Sequence, residues 1–145
     1  MGKNLIEQSP AFRDACDAAT EIANRYLDLD LGELLGADSS RDQQLAETRY
    51  AQPALFIVGY ALAKHYESIG LKPDALLGHS IGEFVAAHIA GVFGLDDAIK
   101  LVCERGRIMH AQPQGSMLSV SARPDDLSRY LDDKVCIAAQ NTPED

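Results

Sequence analysis

The sequence predicts an α/β protein whose body is mostly helical. A short apolar run, Ala75-Leu76-Leu77, leads into Gly78-His79-Ser80-Ile81-Gly82 and then directly into an alanine-rich helical pattern, the order of a strand, a sharp turn and a helix. On either side of it, apolar residues recur at helical spacing over long segments,. At the end of the chain, apolar and polar residues alternate on both sides of a short helical stretch, which reads as a β-α-β unit. The boundary between body and terminal unit falls near Gln112-Pro113-Gln114-Gly115, dividing the chain into 1–113 and 114–145,.

Composition limits the function. The 145 residues, 46% of them hydrophobic, can bury a real core,. Thirteen basic against 22 acidic residues leave a formal charge of −9 and no basic cluster, so nucleic acid is not an expected partner. An anionic substrate therefore needs a local positive group. Cys16, Cys103 and Cys136 are odd in number and far apart. They fit neither a disulfide framework nor a zinc spacing, which points to a reducing, cytoplasmic setting. No metal is called for. No apolar run has transmembrane length, and no signal-peptide pattern opens the chain, so no membrane role is expected.

In chain order, residues 1–8 say little. Ser9-Pro10 supplies an N-cap and a first helical position,. Phe12, Ala15, Cys16, Ala19, Ile22, Ala23, Tyr26 and Leu27 then form one stripe, predicting a helix to about residue 27,. Leu31 to Leu35 reads as one turn ending at Gly36, and 37–47 as loop or weak helix,. Gln52-Pro53 opens a second strong helix with Ala54, Leu55, Val58, Ala61, Leu62, Tyr66 and Ile69 as its apolar positions and Gly70 as its stop,. The elbow helix is expected over about 81–90, with Gly91 after it. Leu95-Asp96-Asp97 begins another helix with acids in its first turn,. The terminal unit is expected as a strand over 116–122, a short helix over 124–131 and a strand over 135–139.

Ser80 is the candidate nucleophile. A G-x-S-x-G turn between a strand and a helix exposes the serine at the helix N-terminus, where free N–H groups favour developing negative charge. The Ile81 N–H is the natural oxyanion donor. Gly78 and Gly82 are both expected to be glycine because a side chain would crowd the backbone there,. Residues 74–78 are expected as a strand with at least one edge lacking a partner within the chain.

Arg105 is the second candidate. At about 100° per residue, Ala98, Val102, Arg105 and Met109 share a narrow sector, with Arg107 on the opposite side,. A guanidinium in an apolar stripe must be paired with an acid, reach the edge, or serve a ligand. The spacing leaves these open. A planar fork suits a carboxylate.

A serine nucleophile needs a base. His79 adjoins Ser80 but points away from it at such a turn. His65 and His88 lie on helices with no evident path to the serine, and His110 is on a flank. Besides a transferase, two alternatives stand: a serine hydrolase or thioesterase with the same elbow, and a non-catalytic piece of a split domain.

Three segments carry a resemblance to a known family: Glu47-Thr48-Arg49-Tyr50-Ala51-Gln52-Pro53-Ala54-Leu55-Phe56, Gly78-His79-Ser80-Ile81-Gly82-Glu83 and Glu104-Arg105-Gly106-Arg107-Ile108-Met109. Together, over about Leu5 to Pro143, they resemble the acyltransferase domain of modular polyketide synthases, malonyl-selective members above all. The resemblance implies a hydrolase-like core with the start of a ferredoxin-like small subdomain at 114–145. It implies transfer of a malonyl unit from malonyl-CoA to an acyl carrier protein through an acyl-Ser80 ester. Ile81 would serve the oxyanion hole, and Arg105, with His79 beside the serine, the substrate. The coenzyme A thioester is substrate, and no cofactor is implied. The family's Gly-Gln-Gly motif and catalytic histidine have no match here. The chain is therefore expected to be a fragment that needs the remainder of the domain as partner and is inactive alone.

Overall fold

The computed structural model describes residues 3–36, 41–113 and 115–142. The chain divides into two compact units, Met1–Gln112 and Pro113–Asp145.

The first unit is a helical assembly around one long helix. Its elements are α1 (Lys3–Gln8), α2 (Pro10–Ala23), α3 (Leu31–Gly36), α4 (Asp42–Leu45), α5 (Thr48–Ser68), α6 (Ile81–Ile89) and α7 (Leu95–His110). Ser9 caps α2 as expected, its Oγ accepting from the Phe12 N–H at 3.2 Å, with Pro10 in the first turn. That helix stops at Ala23, four residues short of the expected end, and Tyr26 turns outward to donate to Asp96 at 2.9 Å. Of the stretch 37–47, residues 37–40 lie outside the described residues, and α4 forms within the rest.

Helix α5 packs against α2, α6 and α7. Tyr50, Ala54, Phe56, Ile57 and Ala61 on it are buried among Phe12, Ala19, Ile99 and Val102. It starts at Thr48, not at Gln52, so Pro53 sits inside the helix and not in its first turn. Tertiary burial explains the earlier start: Tyr50 is 2% exposed and its hydroxyl donates to Asp28 at 2.7 Å. The end at Gly70 is as expected. Gly70 takes φ +88°, its N–H donating to the Glu67 carbonyl and that of Leu71 to Tyr66, a Schellman cap,. Gly91 closes α6 in the same way.

The expected strands do not form. No strand occurs among the described residues. Residues 74–78 approach the turn as irregular backbone, exposed up to Leu77 and half-buried at Gly78, with no ladder on either edge. In the second unit, 116–122 and 135–139 have no ladder either, and in place of the ferredoxin-like β-α-β expected at 114–145 the described residues form α8 (Pro124–Leu127), a 3₁₀ turn over Ser128–Tyr130 and otherwise irregular chain. Met117 and Leu118 are nearly fully exposed. An extended segment becomes a strand only when a neighbour takes up its N–H and C=O groups. None of the described residues supplies that neighbour. What forms instead is local: Asp132 Oδ1 accepts from the N–H groups of Lys134 and Val135 in an Asx turn,. Among the described residues no helix is long and apolar enough to cross a membrane.

Candidate functional site

Ser80 stands immediately before α6, at φ 53° and ψ −116°. It is the one non-glycine residue with positive φ among the described residues. An L-residue is held there only when its surroundings over-determine it, at a cost on the order of 1–3 kcal/mol. Gly78 is one of those surroundings. A Cβ on it would lie 2.1 Å from the Gly82 carbonyl carbon and 2.2 Å from the Glu83 nitrogen, so the chain folds back on itself with backbone against backbone. Gly82 differs from expectation: a Cβ there meets nothing within 4 Å. The steric need for glycine rests on Gly78 alone.

Downstream, the Gly82 N–H donates to the His79 carbonyl at 3.0 Å and the Glu83 N–H to the Ser80 carbonyl at 3.1 Å. The Ile81 N–H has no acceptor among the described residues, while the Ile81 side chain is buried and anchors the start of α6. An exposed hydroxyl at a helix N-terminus, beside an unengaged N–H, can attack a carbonyl and hold the resulting oxyanion.

No imidazole is hydrogen-bonded to Ser80 among the described residues. His65 Nδ1 lies 2.8 Å from Ser9 Oγ. His88 Nδ1 lies 3.0 Å from the Phe93 carbonyl, edge-on to Tyr60. His110 faces Glu47 at 3.8 Å. His79 is exposed, with no side-chain partner among the described residues. Two of the three cysteines are disfavoured as nucleophiles: burial pushes the Cys16 thiol up to about 11, helped by Asp17, and the Cys103 thiol up to about 12,.

Arg105 projects from α7 toward α6. Its guanidinium carbon lies 5.7 Å from the centroid of the Phe84 ring. Phe84 is four residues past Ser80, roughly 6 Å along the axis at 1.5 Å per residue. Arg105 thus packs on α6 about one turn beyond Ser80. Arg105 Nη1 donates to Gln52 Oε1 at 2.5 Å. No carboxylate lies within 4.0 Å of it among the described residues, so of the readings left open by the spacing, the buried ion pair is absent. Arg107, on the far side as expected, pairs with Glu104.

Gly106 brings these parts together. A Cβ on it would come within 3.1 Å of the Thr48 carbonyl oxygen and the Arg49 Cα. The first turn of α5 therefore lies directly on α7. A second polar cluster fastens that end: Asp28 accepts from Tyr50 and Arg49, and Arg49 also donates to Glu47 at 2.9 Å. Burial, then the hydrogen bond to Asp28, pushes the Tyr50 phenol up to about 12. The same bond, as its largest cause, holds the Asp28 carboxyl below its ordinary value. Motif and spacing point to Ser80, Ile81 and Arg105 but not to the contacts of Gln52 or Phe84. Gln52 lies in one of the three resembling segments, yet its contact with Arg105 spans 53 positions and carries no local signal.

A model of the acyl transferase domain family matches residues 1–145. The chain is 43% identical over 146 residues to phenolphthiocerol synthesis polyketide synthase type I Pks15/1 of Mycobacterium marinum, covering 99% of this chain and 7% of that protein. It is 39% identical to the PKS-NRPS hybrid synthetase ATPKS of Aspergillus niger, covering 99% of this chain and 8% of that one. Among solved structures, it matches the acyltransferase domain from the second module of the salinomycin polyketide synthase. That match has a TM-score of 0.85 and 40% identity, over 99% of this chain and 34% of the other. A loading acyltransferase from the avermectin modular polyketide synthase matches at a TM-score of 0.84 and 31% identity, over 99% and 48%. The chain thus spans less than a tenth of those two curated relatives and between a third and a half of those two solved chains.

Proposed function

The chain belongs to the acyl transferase domain family, and from that premise we propose that it carries the nucleophile and the carboxylate-recognition arm of a malonyl-type transferase. The observation that carries this reading is Ser80 itself, a serine strained to positive φ at the head of α6 beside the unengaged Ile81 N–H. Ser80 Oγ attacks the thioester carbonyl of malonyl-CoA, and the carbonyl oxygen develops negative charge against the Ile81 N–H. The bond to sulfur breaks, and the serine proton ends on the departing coenzyme A thiol. The malonyl group stays as a Ser80 ester, which the thiol of an acyl carrier protein then attacks in the reverse sense. Arg105 binds the free carboxylate of the malonyl group. It supplies the local positive charge that an acidic protein must otherwise lack, and His79 flanks the entering substrate.

Intact-mass measurement after incubation with malonyl-CoA tests this. With no imidazole on Ser80 among the described residues, we expect no turnover by the chain alone, only a slow, single malonyl adduct that maps to Ser80 and disappears in Ser80→Ala. An adduct that persists in Ser80→Ala, or none at all on a chain shown by circular dichroism to be folded, overturns the reading.

A further inference from the structure

Gln52 is a polar side chain held in the packed seam between α5 and α7, only 6% exposed. Its two amide ends face different partners. Oε1 accepts from Arg105 Nη1 at 2.5 Å, and Nε2 donates to Met109 Sδ at 3.2 Å. A guanidinium donates but cannot accept and a thioether accepts but cannot donate, so both neighbours point the amide the same way, its oxygen toward the arginine. Met109 and Arg105 are four residues apart, one turn of the same helix, so one amide clamps both.

The acceptor is neutral. A carboxylate in its place would satisfy the same N–H and also cancel the charge of the guanidinium. The amide satisfies it and leaves the charge uncompensated. The remaining N–H donors of the fork have no acceptor among the described residues, and the Phe84 ring lies against the guanidinium at 5.7 Å. We propose that Gln52 is the positioning residue of Arg105: it fixes the guanidinium against Phe84 of α6, one turn beyond Ser80, while leaving its charge for the carboxylate of a dicarboxylic acyl group. This rests on the reading of Arg105 given above. It adds that selection of a charged over a neutral acyl group depends on an amide, and on its neutrality, at position 52.

The test compares acylation of Ser80 by malonyl-CoA and by acetyl-CoA, which lacks the second carboxylate, followed by intact mass over time. Variants are Gln52→Glu, Gln52→Ala and Arg105→Ala. Gln52→Glu keeps shape and acceptor but adds a competing charge. We expect it to slow malonylation about tenfold or more while acetylation stays within about twofold. Gln52→Ala should slow malonylation several-fold with the same selectivity; should it fail to fold, the near-isosteric Gln52→Glu carries the test. Arg105→Ala should show the same malonyl-selective loss. If Gln52→Glu slows both acyl groups alike, or neither, while Arg105→Ala remains malonyl-selective, the positioning role is wrong and the role of Arg105 stands. If Arg105→Ala itself does not discriminate, the reading of Arg105 falls and takes Gln52 with it.

Discussion

The seam between α5 and α7 and the approach to Ser80 are built on opposite terms. In the seam, Tyr50, Ile57, Ile99 and Val102 are buried, and each contact is one of many. In the approach, residues 71–77 are exposed throughout, and Leu77 is 99% exposed. The turn at its end depends on a few features of the backbone: the bare Cα of Gly78 and the positive φ of Ser80. A distributed interface tolerates small changes and fails by losing stability. A turn set by one or two residues fails by losing geometry while the rest of the unit stays folded.

The largest expected effect lies in the core that the seam belongs to. Phe56 is fully buried on α5, so Phe56→Ala should cost about 3–5 kcal/mol in denaturant unfolding. Leu77→Ala should change stability by less than about 0.5 kcal/mol. Equal losses at the two positions would erase the contrast.

The next effect concerns geometry. Gly78→Ala pushes a methyl group into the Gly82–Glu83 peptide. A displacement of about 1 Å at a reacting atom can cost on the order of a hundredfold, and we expect Ser80 acylation to fall by about that much. Gly82→Ala, whose methyl meets open space near the start of α6, should keep acylation. It should raise stability by up to about 1 kcal/mol, since alanine is the better helix former. Loss of acylation in both variants would restore the two-glycine requirement expected from the motif.

The smallest effect isolates the strain at Ser80. Ser80→Ala and Ser80→Gly both remove the hydroxyl, but only glycine accepts φ 53° without cost,. Thermal unfolding should show Ser80→Gly more stable than Ser80→Ala by about 1 kcal/mol. Equal stability would mean that the turn holds no strain.

Legibility in the sequence followed the range of the interaction. The cap at Ser9 and the stops at Gly70 and Gly91 were readable because each is closed by hydrogen bonds a few residues long. The stripe on α2 was readable because one face of that helix is apolar, and Phe12, Ala15, Cys16, Ala19 and Ala23 are all buried. Helix α5 was harder. It is apolar on several sides, so periodicity could not set its phase. Leu55, Tyr66 and Ile69, expected on the core face, are exposed, while Phe56 and Ile57 are buried. Its start at Thr48 contradicts the usual placement of proline in the first turn, because the Tyr50–Asp28 contact reaches across 22 positions.

The sequence by itself determined the helical body, most of its caps, the serine at the turn and the arginine four residues before Met109. These depend on backbone preferences and spacing along one helix, both of which are local. Only the tertiary structure decided that Gln52 meets Arg105, that Gly106 admits the first turn of α5, and that Gly78 alone bears the steric demand of the turn. It also decided that the expected strands stay irregular among the described residues. A strand, like a buried ion's partner, is a property of two segments, and hydrophobic alternation within one segment says nothing about whether the other is there to pair with it.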